Sequence, residues 1–303
     1  MNRMLLAHLA AAAAAISAGT AVVATRFVIA ETDPLSLVFY RYLVSVLCFL
    51  PFLRELWPGH RLSVGDFGRI AMYGILFFVL FPWAFNAALG INSAARGAVG
   101  LATVPIQTLL VAVAFGRERM SAGKAAGVLL AFGGILVAFG ADVLNDADGE
   151  HLLGDGLMLL GVLCAAVYSV FGRPTLIRHG PLFVTALGMA FAVAALSPVV
   201  VAKSGGFVLP AFSAGGWLAL VFLGTAAGAL QFSLFMWALR WLPPTTTVLY
   251  LTLNPIAATI FGAFLLGEVP TWELLAGMAL VLAGILVGSG LFPTTRKVVP
   301  ADA

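Results

Sequence analysis

Arg41 is the one base near the middle of a long apolar run, "PLSLVFYRYLVSVLCFLPF" (34–52). It follows Pro34 by two helical turns, roughly 10 Å along the axis. A guanidinium at that depth is costly in hydrocarbon, so it must face a cavity or a partner. Facing a cavity, it suits a carboxylate ligand or the gating of a mouth. The structural alternative is an arginine that snorkels outward or caps carbonyls of a neighbouring helix. Around it stands an uncharged polar set in other apolar runs: Thr20, Trp83, Asn86, Gln107, Thr108, Tyr168, Gln231, Ser233, Trp237, Tyr250, Thr252 and Asn254. Amides at membrane depth have no water to satisfy them unless they face a cavity or another helix, which puts Gln107, Gln231 and Asn254 foremost. Trp83, Trp237, Tyr168 and Tyr250 are either stacking surfaces for a substrate or packing residues and interface anchors.

No acid accompanies this set. Asp66, Glu118, Asp155, Glu268 and Glu273 all fall at the ends of apolar runs. A mid-membrane carboxylate that alternates between a proton and a cation is therefore missing, which argues against extrusion of polycations by that route. Glu118 and Glu268 read as caps of the helices that follow them, where the helix dipole favours negative charge. His8, His60, His151 and His179 are scattered over loops and ends, and neither HExxH nor GxSxG occurs. Enzymatic chemistry, a metal site and a bound cofactor are accordingly not expected. Pro105 and Pro255 fall mid-run, where each removes a helical hydrogen bond and crowds the carbonyl four residues back, at Leu101 and Leu251. They are hinges or static kinks beside a cavity.

The elements that hold these residues are membrane helices. The 303 residues are 62% hydrophobic and 10% charged, too little charge to cover a soluble domain of this length. Apolar runs place ten spans near 4–25, 34–53, 67–90, 94–116, 122–140, 154–172, 181–202, 214–239, 245–266 and 271–292. The first resembles a signal peptide but is long enough to cross a bilayer, and is read as a span. Cys48 and Cys164 lie inside apolar runs as packing residues. The bases are scattered singly between the runs, which excludes nucleic acid as a partner. With the N-terminus inside, twelve of the sixteen Lys and Arg fall on inner segments, and only Arg26, Arg96 and Lys203 on outer loops. That asymmetry orients both termini to the cytoplasm.

The chain also repeats. Pro105 meets Pro255, Glu118 meets Glu268, Gly127 meets Gly277, and "GILV" at 134–137 meets "GILV" at 284–287, all 150 residues apart; upstream the offset is 147, as in Pro34 and Pro181. The halves are 1–147 (spans 1–5) and 148–292 (spans 6–10), followed by a cytoplasmic tail, 293–303. Five is odd, so the second half enters the membrane from the other side. The 4–5 turn carries Arg117, Arg119 and Lys124, whereas its copy at 9–10 carries Glu268 and Glu273 and no base. Each turn is charged for its own side. Inverted repeats of this kind are the architecture of alternating-access transporters.

Three segments carry a resemblance: "FYRYL" in span 2, "FNAALGINSAARGAVGLATVPIQTLLVAVAFGRERMS" across spans 3–5, and "FMWALRWLPPTTTVLYLTLNPIAATIFGAFLLGEVPTWELLAGMALVLAGILVGSG" across spans 8–10. By these the chain resembles the EamA type of the drug/metabolite transporter superfamily over nearly its whole length. The resemblance implies a bacterial inner-membrane carrier with a cavity lined by spans 1, 3, 4, 6, 8 and 9, and with spans 5 and 10 outside. It implies export of a small organic metabolite, with an amino acid or derivative foremost; facilitated or proton-coupled uptake, multidrug export and a passive channel stay open. Many relatives carry an acid where this chain has Asn254, which puts proton coupling in doubt. The partners implied are a small-molecule substrate and the lipid bilayer. Gly284 and Gly288 permit close helix contact within the bundle or in a homodimer, and a monomer is equally compatible.

Overall fold

The structure, a computed structural model, describes residues 3–29, 31–59, 62–92, 94–145, 151–204, 211–257, 260 and 271–289. All regular elements among them are helical, and nine stretches are long and apolar enough to cross a membrane. They correspond to spans 1–8 and 10. Span 9 enters the described residues as three short pieces, Pro244–Leu249, a 3₁₀ turn at Tyr250–Thr252 and helical residues 253–257, with 258–259 and 261–270 outside them. Glu268 lies outside the described residues too.

Local chemistry sets the helix starts. Asp33 caps Pro34–Phe49 by accepting from the amides of Leu35 and Ser36 at 3.1 and 3.2 Å, with Pro34 in the first turn, where its missing N–H costs nothing. Ser63 and Ser213 cap Val64–Ile75 and Ala214–Gly224 through the amides of Asp66 and Gly216, each at 3.0 Å. Gly116, at φ 63°, makes the tight turn between spans 4 and 5 in a region that disfavours a Cβ.

Equivalent elements of the two halves make equivalent contacts. Span 1 packs on span 8 as span 6 packs on span 3; span 2 meets span 7, span 4 meets span 9, and span 5 meets span 10. Irregularities recur as well. Span 3 contains a π turn at Leu76–Leu80 and span 8 one at Thr225–Leu230. Pro82 accounts for the first, because its ring displaces the carbonyl of Phe78 four residues back. Span 4 is broken into Ala94–Leu101 and Val104–Ala114. Pro105 and Pro255 therefore do not kink continuous helices: each sits in the first turn of a second segment, where no N–H is required.

One expected cap is different. Glu118 does not cap span 5, whose start is capped by Ser121 Oγ through the Lys124 amide at 3.3 Å. Its Oε1 accepts instead from the Thr245 amide at 2.9 Å, at the start of span 9 in the other half, while Lys124 pairs with its second oxygen. A carboxylate at a helix start is favourable whichever helix it belongs to, and the nearest free amide lies across the interface.

Spans 5 and 10 pair along Ala122–Asn145 and Trp272–Ser289 through glycines. A Cβ on Gly134 would stand 2.6 Å from the Gly277 carbonyl oxygen, whereas one on Gly133 meets nothing within 4 Å. Gly134→Val is expected to lower the thermal unfolding midpoint, at an overpacking cost of about 1–3 kcal/mol. Gly133→Val should leave the midpoint nearly unchanged, and equal effects at the two sites would contradict this packing.

Candidate functional site

A cavity of about 300 Å³ lies in the middle of the bundle. At one end its rim is formed by Ile29 and Pro34, beside the 1–2 loop, and by Leu89 and Gly90 at the 3–4 loop. This end, opposite the N-terminus, is the far end below. Towards the N-terminal end the cavity stops at an aromatic floor of Tyr42, Phe77, Phe232 and Phe235. Phe77 stacks on Phe235 at 6.2 Å and 6°, and on Tyr168 at 4.4 Å and 28°, with Phe78 wedged against Tyr42 and Phe232. The floor is dense and apolar but for the Tyr42 phenol, with Tyr168 packed behind it.

Ties between the halves hold the N-terminal end together beneath this floor. Buried Asp66 in the first half faces Arg178 at 3.3 Å and His179 at 3.6 Å in the second. Glu118 caps span 9 across the same interface, and within the second half Arg173 Nε donates to the Leu239 carbonyl at 3.0 Å. At the far end Glu31 accepts from the Ser213 amide at 2.8 Å, and Asp33 pairs with Lys203 at 3.0 Å. Burial pushes the Asp33 carboxyl up, but hydrogen bonds from Ser36 and Lys203 outweigh it and hold the group below its ordinary value.

Arg41 is the one formally charged residue among the described residues that line the cavity. Its Nη2 donates to the Ala227 carbonyl at 2.6 Å, inside the π turn of span 8. Ser45 Oγ donates to the Gly224 carbonyl at 2.7 Å, and Ser17 Oγ reaches the Ala226 carbonyl at 3.4 Å. A π turn redirects carbonyls from the regular ladder, and these donors of spans 1 and 2 answer them. The guanidinium also stands 5.8 and 5.7 Å from the ring centres of Tyr42 and Phe232. Its Nε is buried without a hydrogen-bond partner, as are Gln231 Oε1 and Asn254 Oδ1 in the same lining. One N–H of Arg41 is thus spent on the bundle itself, while its buried Nε has no hydrogen-bond partner.

The structure brings Arg41, Asn86, Gln231 and Asn254 together around the cavity. Six other candidates line none of it. Trp83 is exposed on the outside of the bundle. Trp237 pairs with Trp241 at 6.4 Å, and Thr20 bonds the Ser17 carbonyl of its own helix at 2.7 Å. Gln107 Nε2 reaches Thr103 and the Leu159 carbonyl at 3.5 Å, between spans 4 and 6. Tyr168 lies behind the floor, and Tyr250 Oη bonds His8 Nδ1 at 2.9 Å. Nor do Thr108, Ser233 and Thr252, all buried, reach the lining. The lining also takes in span 2, absent from the set the resemblance implied. Sequence reading missed Tyr42, Ser169 and the phenylalanine face, although Phe77, Phe81 and Phe85 recur every fourth residue on span 3, and Ala14, Ala18 and Ala21 share one face of span 1. It also set His8 among end residues, whereas His8 is buried at 7% exposure.

An all-helical bundle with membrane-length apolar helices around a central, sparsely charged cavity defines a membrane transporter. The profile of the EamA-like transporter family matches residues 5–140 and 152–289, and the chain belongs to that family. An uncharacterized transporter of Archaeoglobus fulgidus is 24% identical over 279 residues, covering 89% of this chain and 93% of that protein. The uncharacterized inner membrane transporter YedA of Escherichia coli is 28% identical over 280 residues, covering 88% and 86%. A probable terminal-alkyne amino-acid exporter of Streptantibioticus cattleyicolor is 27% identical over 187 residues, covering 62% and 61%. A solved crystal structure shares the fold at a TM-score of 0.79, with 21% identity over 94% of this chain and 99% of that one.

Phe78 is fully buried and fills the space over Gly188, where its ring would stand 3.1 Å from an added Cβ. Phe78→Ala is expected to destabilise the bundle by about 3–5 kcal/mol, read as a large fall in the thermal unfolding midpoint. Trp83→Ala, on the outside, should move it little.

Proposed function

We propose that the chain is a carrier of the bacterial inner membrane that exports an amino acid or a close derivative by alternating access. In this reading ten spans form two inverted halves with both termini in the cytoplasm, and the far end faces outward. The breaks at Pro105 and Pro255 are the points where spans 4 and 9 flex as the halves rock. The observation that carries the reading is the polar composition of the cavity: one guanidinium without a carboxylate partner, and two amide oxygens without donors, set in an apolar wall.

That composition suits a zwitterion. Arg41 takes the carboxylate as a charge-assisted donor, and Gln231 and Asn254 accept from the ammonium group. The wall of Phe81, Phe85 and Leu89 takes an apolar side chain. A cavity near 300 Å³ is at the lower end for small ligands, which favours a single amino acid over a bulky drug. The relative named as an amino-acid exporter supports the same substrate class.

Counterflow of labelled amino acids into proteoliposomes tests this, with aromatic and aliphatic substrates, with and without a pH gradient. Saturable counterflow is expected for wild type. Arg41→Met keeps the stem but removes the charge, and should weaken apparent affinity about ten- to a hundredfold, as loss of a charged hydrogen bond does. Correctly folded protein that moves no amino acid would sink the substrate assignment. Unaltered affinity in Arg41→Met would remove Arg41 from the binding site.

A further inference from the structure

His8 is one turn into span 1, in the helix Arg3–Ile29, and its ring is buried. Its Nδ1 is 2.9 Å from the hydroxyl of Tyr250, which lies in the 3₁₀ turn where span 9 is broken. Ser289 of span 10, whose Oγ donates to the Leu286 carbonyl at 3.3 Å, lies beside the same Tyr250 side chain. The His8–Tyr250 bond therefore ties spans 1 and 9 together beneath the cavity, with span 10 alongside. His8 follows Arg3 closely and precedes Ala14, the lining residue of span 1 nearest the floor, by six residues, roughly 9 Å along the helix. Tyr250 in turn adjoins Leu251, which lines the cavity. An ionisable ring at this depth calls for a functional account, and nothing in the substrate site uses it.

The groups around it decide its charge. On its own helix, Arg3 lies over the Trp241 ring at 5.3 Å. Span 8, packed along span 1, contributes Arg240, also against Trp241, at 5.7 Å. Span 2 contributes Tyr40, Arg41, Tyr42 and Cys48, and the start of span 9 contributes Tyr250 alone. On span 10, Glu273 stands at the opposite end of the helix from Ser289. Span 5, packed on the same 3₁₀ turn, contributes Lys124, which is paired with Glu118, the carboxylate that caps the start of span 9. Among the described residues of these elements no carboxylate hydrogen-bonds or ion-pairs with the ring. A neutral ring is satisfied here: the Tyr250 hydroxyl donates to Nδ1. An added proton reverses this bond, with Nδ1–H donating to Tyr250 and its hydroxyl free to turn to the oxygen of Ser289, whose own proton goes to the Leu286 carbonyl, but leaves a buried cation without a counter-charge. Water relieves that charge only if spans 1 and 9 part at the N-terminal end.

We propose that His8 and Tyr250 form a proton-binding site of the carrier, neutral while the N-terminal end is closed and protonated as that end opens. This rests on the alternating-access reading above. By linkage, whatever binds the open form better shifts the population towards it, so acid on the N-terminal side opens that end. The proton comes from water at that end and returns to it, so the site biases the cycle and need not move charge across the membrane.

The test uses the full chain with Cys48→Ala and Cys164→Ala, spin-labelled through Arg119→Cys and Ile177→Cys, two exposed positions in the 4–5 and 6–7 connections at the N-terminal end. Distances between the labels are measured in liposomes at about pH 8 and about pH 5.5, either side of an ordinary imidazole. A longer-distance population at least about threefold larger in acid is expected, and absent in His8→Gln. If His8→Gln does not fold, Tyr250→Phe decides: a shifted pH midpoint supports the site and an unmoved one overturns it. Distances that ignore pH in wild type, or respond equally in His8→Gln, overturn it. No substrate is needed, so protein that passes the counterflow assay yet ignores pH loses only this inference.

Discussion

In a bilayer no water stands by to repair a broken helix, so every freed backbone group must find its partner inside the protein. This chain interrupts its helices repeatedly, and at several of these places a side chain answers. Pro198 inside Pro181–Ser204 leaves the Ala194 carbonyl short, and Ser197 donates to it at 2.9 Å. Thr103 donates to the Gly100 carbonyl at 2.6 Å at the break in span 4, and Thr252 to the Leu249 carbonyl at 2.7 Å in span 9. At the π turn of span 8 the partner is Arg41. A charge expensive anywhere else in the membrane is held there by the irregularity it repairs, and the residue lines the cavity.

The repeat is used asymmetrically at this point. Span 2 corresponds to span 7, so Arg41 corresponds to Gly188; span 3 corresponds to span 8, so Phe78 corresponds to Gly228. Glycines face span 2 and span 3 across the packed pairs: Phe78 lies over Gly188, Val44 and the Arg41 carbonyl lie against Gly224, and Ser45 lies against Gly228. A Cβ on Gly188 or Gly228 would enter space those side chains occupy. One niche is thereby a guanidinium beside open space and the other an aromatic plug. Two copies of one helical unit produce a single charged site, with a floor on one side of it and a mouth on the other.

Much of this could be read along the chain. Offsets of 150 and 147 picked out elements that make matching contacts, and the apolar runs located nine membrane-length helices. Arg41, Asn86, Gln231 and Asn254 were legible because a polar group at membrane depth must face something that satisfies it. The same rule over-selected. Gln107, Thr20 and Tyr250 are satisfied by neighbouring carbonyls or by His8, and no one-dimensional pattern separates a helix partner from a cavity.

What the sequence determined by itself is the position of the nine long apolar segments found among the described residues and the residues too polar to face lipid, since both follow from transfer free energies summed along the chain. Tertiary structure decided which helix each cap serves. Glu118 adjoins span 5 in sequence but bonds Thr245, because the free amide of another helix start is closer in space. It decided that His8, near the chain's start, is buried against Tyr250, 242 residues away. It also decided which half of a near-symmetric pair is open, a difference that rests on side-chain volumes meeting glycines across an interface.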